Sequence, residues 1–531
     1  MKAHTLRSYM ALHTWVGLAS GFMLFIAFFA GSITVFHEEL HTWERPASTQ
    51  ATMQSAALAQ PLIDAVLRAH PEAKKEFSLR FPSSHQPALR LEWHQPDAAG
   101  KLHERVFYLS RQGALEEVRD ASALSELVHR LHYTAGLPAS WGIYVLGVVS
   151  ILYGVALVSG VVLYAPVFLR DLFALRIGKN LKRMWQDAHN IIGVLSLPFH
   201  VMYAWSGAIL GLGLLLMAPF QLLVFDGKLL ALVGPDISLN NNVQVAHVAG
   251  PLLPASRLIA AIEGAAPGIA LQAMHYRDVG DIHAQVDAYG QLRQGSVSGM
   301  AAVAINAHDA SIGRVITPQS ASPGTTFLRG LYALHYAQLG ELVVKWMYFG
   351  LGMAGAFLFY SGNLLWIEKR RKQRLAAQPR SGRLMAQATL GVCLGSMAGI
   401  GAAFLINKLL PAATADLAGW EERAYYAVFL LALAWAFVRP PARAAHELLM
   451  ACAALALLLP LAQWWRGGVD PLQSAWAGEW VIVGVDAVAL VFGLLYWRLA
   501  RAVLRRGLHG DPHSVWSLES PSVTAALRRA A

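Results

Sequence analysis

The sequence predicts a mainly α membrane protein: about eight transmembrane helices, with two exported α+β modules between the first four. Three observations carry this. The 531 residues are 55% hydrophobic and 14% charged, against roughly 25% charged in soluble domains. Long apolar runs recur, and the cations behind the +10 net charge cluster beside them. The positive-inside rule places cations there, which argues against a nucleic-acid surface. Two polar stretches, 38–135 and 226–330, separate the early runs and carry helix and strand periodicities of their own.

The first span is about 11–36, within a segment 1–37. Lys2 and Arg7 precede it and Glu38 and Glu39 follow, so the N-terminus is expected in the cytoplasm. Its apolar run is about 25 residues, longer than a signal-peptide core, so an uncleaved span is expected. In module 38–135, PLIDAVLRAHPEA reads as an amphipathic helix. FSLRF, ALRLEW and RVFYLS read as strands, and Arg111-Gln112-Gly113 as a turn. Segment 136–225 holds span two (about 141–168), a basic loop and span three. The loop carries Arg170, Arg176, Lys179, Lys182 and Arg183.

Module 226–330 repeats the order, with ASRLIAAIEGAAPG as helix and IHAQVDAY and MAAVAIN as strands. Segment 331–372 holds span four (about 346–367) and a basic cytoplasmic end. An accessory four-helix region, 373–508, contains spans at about 384–407, 424–438, 446–464 and 476–497. Residues 509–531 form a tail. Every even-numbered exit is basic, which puts both termini inside.

Span three stands out. Between Asp187 and Asp226 lie 38 residues without a charged side chain, and among them are His189 and His200. On one continuous helix these two fall within about 20° of one face. A histidine inside an apolar span points to function. The stretch also echoes the first span: His189, Gly193, Ser196 and Gly207 follow His13, Gly17, Ser20 and Gly31 by 176 residues, with Leu24 in the place of His200. Spans two and four echo each other at an offset of 203, where His132, Tyr133 and Gly147 meet His335, Tyr336 and Gly350. The first four spans thus read as an internal parallel repeat about an axis along the membrane normal.

Two histidine positions are therefore duplicated, His13 with His189 toward the cytoplasm and His132 with His335 toward the exported side. Paired imidazoles across a helix interface are the ligand set of a six-coordinate haem b, and two pairs would hold about two haems. Other readings are histidines bonding headgroups or backbone carbonyls, and a zinc site, although no carboxylate or thiol support lies near the cytoplasmic pair. His200 is a further ligand candidate or a residue lining the path; His37 and His129 lie near the exported surface. Asp486, in mid-span eight, suggests a proton relay or an ion pair. Cys393 and Cys452 lie in apolar spans, and no CxxC or CxxCH occurs, so covalent haem and cysteine-held clusters are not expected.

The motifs LHTWVGLASGFML…FHEEL, LHYTAGLPASWG, WQDAHNIIGV and LHYAQLGELVVKW…WIEKRR resemble the PepSY-associated transmembrane family over about residues 1–372, and the exported modules resemble PepSY domains. The resemblance implies an inner-membrane protein of bacteria and, for some members, a dihaem ferric-siderophore reductase, with His13, His189, His132 and His335 as ligand candidates. The expected partners are a ferric siderophore, a separate cytoplasmic electron donor (no GxGxxG fingerprint occurs) and membrane lipid. The rival readings are a PepSY-type sensor or protease regulator, and a siderophore permease, for which Pro198 in span three is a hint.

Overall fold

The structure is a computed structural model. It describes residues 3–518 except 45–54, 84–87, 97–101, 111, 119–121, 169–175, 177–179, 230, 232–238, 240–243, 293–298, 339–341, 372–377, 412–413, 415 and 468–470. Arg170 and Lys179 of the basic loop, Arg111 of the expected turn and the tail beyond 518 lie outside the described residues.

In chain order, α1 (Ala3–Thr34) and α2 (His37–Trp43) are followed by α3 (Ala59–Ala69) and strands β1 (Glu76–Arg80), β2 (Arg90–Pro96), β3 (Leu102–Leu109) and β4 (Leu115–Val118). Helices α4 (Leu124–Thr134), α5 (Ala139–Tyr164), α6 (Leu181–Leu195) and α7 (Leu197–Pro219) come next. A second set follows: α8 (Ala255–Ala265), β5 (Ile269–Arg277), β6 (Gln285–Leu292), β7 (Met300–Asn306), β8 (Ile312–Ile316) and α9 (Pro323–His335). The chain ends in α10 (Leu342–Lys369), α11 (Arg380–Leu409), α12 (Leu417–Val438), α13 (Pro441–Gly467), α14 (Pro471–Trp476) and α15 (Trp480–His509). It divides into two compact units, one of 1–46, 121–215 and 340–531, the other of 47–120 and 216–339.

The first unit is helical. Among the described residues six helices are long and apolar enough to span a bilayer: α1, α5, α10, α11, α13 and α15. The bent pair α6–α7 makes a seventh if counted as one span. The protein is a multi-pass membrane protein. The remaining expected span, the sixth at about 424–438, falls on α12, whose opening turns carry Glu421, Glu422 and Arg423, so its apolar run is short for a bilayer.

A second departure concerns span three. The charge-free run is broken at Ser196, and the two arms meet at 72°. Pro198 explains why: it has no N–H for the Val194 carbonyl, as a continuous helix would require. His189 and His200 therefore lie on different helices, and their spacing does not align them on one face.

Helix α1 packs against α4, α5 and α10; α10 reaches α6 and α11; α11 packs on α12 and α13, and α13 on α15. Gly391, Gly395 and Gly399, spaced by four, let α12 approach α11 closely. A Cβ at Gly399 would stand 2.9 Å from the Tyr425 carbonyl oxygen, the small-residue packing that membrane helices favour. Buried Glu421 accepts hydrogen bonds from Ala123 N at 3.0 Å and Asn407 Nδ2 at 2.8 Å. Lys408 Nζ donates to the Trp43 carbonyl at 2.6 Å. These bonds fasten the C-terminal helices to α2 and to the start of α4.

The second unit is an eight-stranded antiparallel sheet of order β4-β3-β2-β1-β5-β6-β7-β8. Each half supplies a four-stranded meander where two or three strands were expected. The halves join edge to edge through β1 and β5, with Phe77 opposite Tyr276 and Leu79 opposite Met274. One core spans the join: Leu62, Ile63 and Val66 of α3 and Leu258 and Ile262 of α8 cover Phe77, Leu79, Met274 and Tyr276. Gln60 Oε1 accepts the Ala255 N–H at 2.7 Å, tying the two helices together.

Candidate functional site

His13 of α1 and His189 of α6 meet inside the first unit. Their ring centroids are 6.2 Å apart and the planes stand at 83°. Their anchoring is alike. His13 Nδ1 lies 2.9 Å from the Ala156 carbonyl oxygen and 3.3 Å from Ser159 Oγ on α5. His189 Nδ1 lies 3.2 Å from the Leu358 carbonyl oxygen and 3.3 Å from Ser361 Oγ on α10. A carbonyl can only accept, so each Nδ1 carries the proton and each Nε2 keeps a lone pair. Neither Nε2 makes a hydrogen bond among the described residues.

Glycines make room for the rings. Gly160 and Gly362 follow the two serines, and a Cβ at either would press on the imidazole Cε1, at 3.1 Å for His13 and 3.4 Å for His189. One turn beyond each histidine is another glycine. Nothing lies within 4 Å of a Cβ built at Gly17, and at Gly193 the nearest atom is Leu358 Cδ1 at 3.6 Å.

The 6.2 Å between ring centroids leaves room for an iron, which His13 and His189 would hold through Nε2 and which would supply one-electron chemistry. Nδ1–H bonded to a carbonyl is the support that metal-ligating histidines take, and the space at Gly17 suits the edge of a flat macrocycle.

His132 lies on α4 with Nδ1 2.8 Å from the Ala27 carbonyl oxygen of α1. It fits because residue 31 is glycine; a Cβ there would stand 2.5 Å from Nδ1. His335 is the last residue of α9 in the second unit, its ring edge-on to Tyr336 at 5.3 Å. His200 is fully buried. Its Nδ1 meets the Tyr153 hydroxyl, and its Nε2 lies 2.9 Å from Ser196 Oγ. Both ring nitrogens are thus hydrogen-bonded, and the ring ties the α6–α7 break to α5. Asp486 is buried, and neither of its carboxylate oxygens has a hydrogen-bond partner among the described residues; the charge of Lys408 acts on it.

Sequence reading missed the Ser-Gly pairs that seat the two histidines. The signal was present: Ser159-Gly160 and Ser361-Gly362 recur at an offset of 202 within the span two and span four echo.

Helices of spanning length around a pair of histidines that meet between α1 and α6 define a multi-pass membrane protein. The sequence model of the PepSY-associated TM region matches residues 10–369, and the chain belongs to that family. An uncharacterized protein of Pseudomonas aeruginosa is 27% identical over 377 residues, covering 66% of this chain and 90% of the relative.

Proposed function

We propose that the protein is a transmembrane ferric-siderophore reductase of the bacterial inner membrane. It takes electrons from a separate cytoplasmic donor and reduces Fe(III) in a periplasmic chelate, releasing Fe(II). The observation that carries this reading is the His13–His189 pair with its matched carbonyl and serine anchors.

A haem b held by His13 and His189 supplies reversible one-electron exchange when bound. The carbonyls of Ala156 and Leu358 hold Nδ1–H, so each Nε2 keeps its lone pair for the iron and each imidazole is a stronger base. A second haem, with His132 and His335 as ligand candidates, rests on the sequence duplication. The basic exits orient both termini to the cytoplasm and both modules to the periplasm. Hard oxygen donors of a siderophore hold Fe(III) far better than Fe(II), so reduction loosens the metal.

The break at Ser196 is the one observation that favours the permease alternative. Its polar groups, Ser196, His200 and Tyr153, spend hydrogen bonds on one another, which weakens that reading.

The deciding experiment is the absorption spectrum of the purified full-length protein, followed by addition of a ferric hydroxamate to the dithionite-reduced form. A low-spin b-type spectrum that reoxidises with release of Fe(II) is expected. A colourless protein from haem-supplied cells overturns the proposal.

A further inference from the structure

A second cluster of ligating side chains lies where α1 ends. His37 opens α2, while Glu126 and His129 sit three residues apart on one face of α4. One nitrogen from each histidine and one oxygen of the carboxylate all lie within 4.8 Å of one another. We propose that His37, His129 and Glu126 bind a first-row divalent transition-metal ion, a site separate from the His13–His189 pair.

The separations point to a cation. His129 Nδ1 is 3.6 Å and His37 Nε2 is 3.9 Å from Glu126 Oε2, both beyond hydrogen-bond length. His37 Nε2 is buried and makes no hydrogen bond among the described residues. Donor atoms around one ion, each about 2 Å from it, lie roughly 3–4 Å apart, so small side-chain rotations close the set. The rings of His37 and His129 stand edge to face at 5.6 Å, which keeps the nitrogens converging rather than stacked.

The supports are fixed. His41 stacks on His37, 12° from parallel, and its Nδ1 is 2.7 Å from Glu44 Oε1. Glu44 in turn accepts from Ser125 N at 2.7 Å, which anchors the start of α4. Two imidazoles and one carboxylate with open positions suit Fe(II), Co(II) or Zn(II) better than Mg(II) or Ca(II). The carboxylate side chain is 56% exposed, so an ion has a way in.

Beside the proposed function, the ion this site would receive is the Fe(II) product. The site itself needs no electron transfer, so the test uses Co(II), and failure of either idea is a separate result. The full-length protein, carrying a tag without histidines, is stripped with chelator and titrated with Co(II), read by visible d–d absorption. The parent should bind one more equivalent than His129→Ala or Glu126→Gln, or bind at least about tenfold tighter. Circular dichroism and haem content should stay unchanged, and Glu126→Asp should recover part of the binding. Equal stoichiometry and affinity in the parent, Glu126→Gln and His37→Ala overturns the proposal. So does recovery in Glu126→Gln of the parent's full d–d spectrum.

Discussion

Ser159 and Ser361 hold equivalent posts on α5 and α10. Each hydroxyl is 3.3 Å from the Nδ1 of a histidine and within hydrogen-bond reach of the carbonyl that the same Nδ1 contacts: Ser159 lies 3.0 Å from Ala156, with the Val155 carbonyl nearer at 2.8 Å, and Ser361 lies 2.9 Å from Leu358. Serine and imidazole thus share one acceptor. Ser159→Ala and Ser361→Ala should each keep haem, because the carbonyl anchor remains, but should shift the midpoint potential by changing ligand basicity. A spectroelectrochemical titration checks this; unchanged potentials in both variants would leave the hydroxyls a packing role alone.

His189→Ala should drop haem content from about two to about one per chain, since one axial ligand of a bis-histidine site is lost. His335→Ala should remove the other haem and leave the His13–His189 site spectrally intact. Pyridine haemochrome assays on both variants decide. Retention of two haems in His189→Ala would sink the ligand assignment.

His200→Ala should keep haem yet lower stability by about 2–4 kcal/mol, from a buried cavity and an orphaned Tyr153 hydroxyl. Thermal unfolding in detergent measures it. Loss of haem without loss of stability would show that His200 is a ligand.

Gly399→Val should loosen α11 from α12. The new side chain meets Tyr425 backbone at 2.9 Å, and relief of such overpacking costs about 1–3 kcal/mol. The expected result is a lower melting temperature with the spectrum of the His13–His189 site unchanged.

Reporter fusions after Arg183 and Arg374 should read cytoplasmic, and fusions at Gln95 and Gln285 exported, following the basic exits. An exported signal after Arg183 would overturn the orientation.

Much of this architecture was legible because apolar length and charge placement are strong signals in one dimension. The run around Asp187 shows the limit. Absence of charge marks an apolar environment but does not say whether the backbone stays straight, and Pro198 bends it out of the pattern that His189 and His200 suggested. Three strands were missed: β4 and β8 are only four and five residues long, too short for alternation to show, and in the nine-residue β5 the register shifts between Leu271 and Ala273, which interrupts the alternation. The pairing of His13 with His189 could be anticipated from duplication. Glu126, His37 and His129 could not be grouped, since nothing in the sequence brings the start of α2 beside the first turns of α4.

The seam between β1 and β5 has a consequence for how such a chain can be divided. These strands face each other in antiparallel register, Glu76 against Arg277 and Arg80 against Ala273. Each meander closes the open edge of the other. A half-length product carrying only β1–β4 would bare that edge and have a ready means of capturing a second copy of itself. An unpaired edge is thus inherent in either half, and the full-length chain closes it internally.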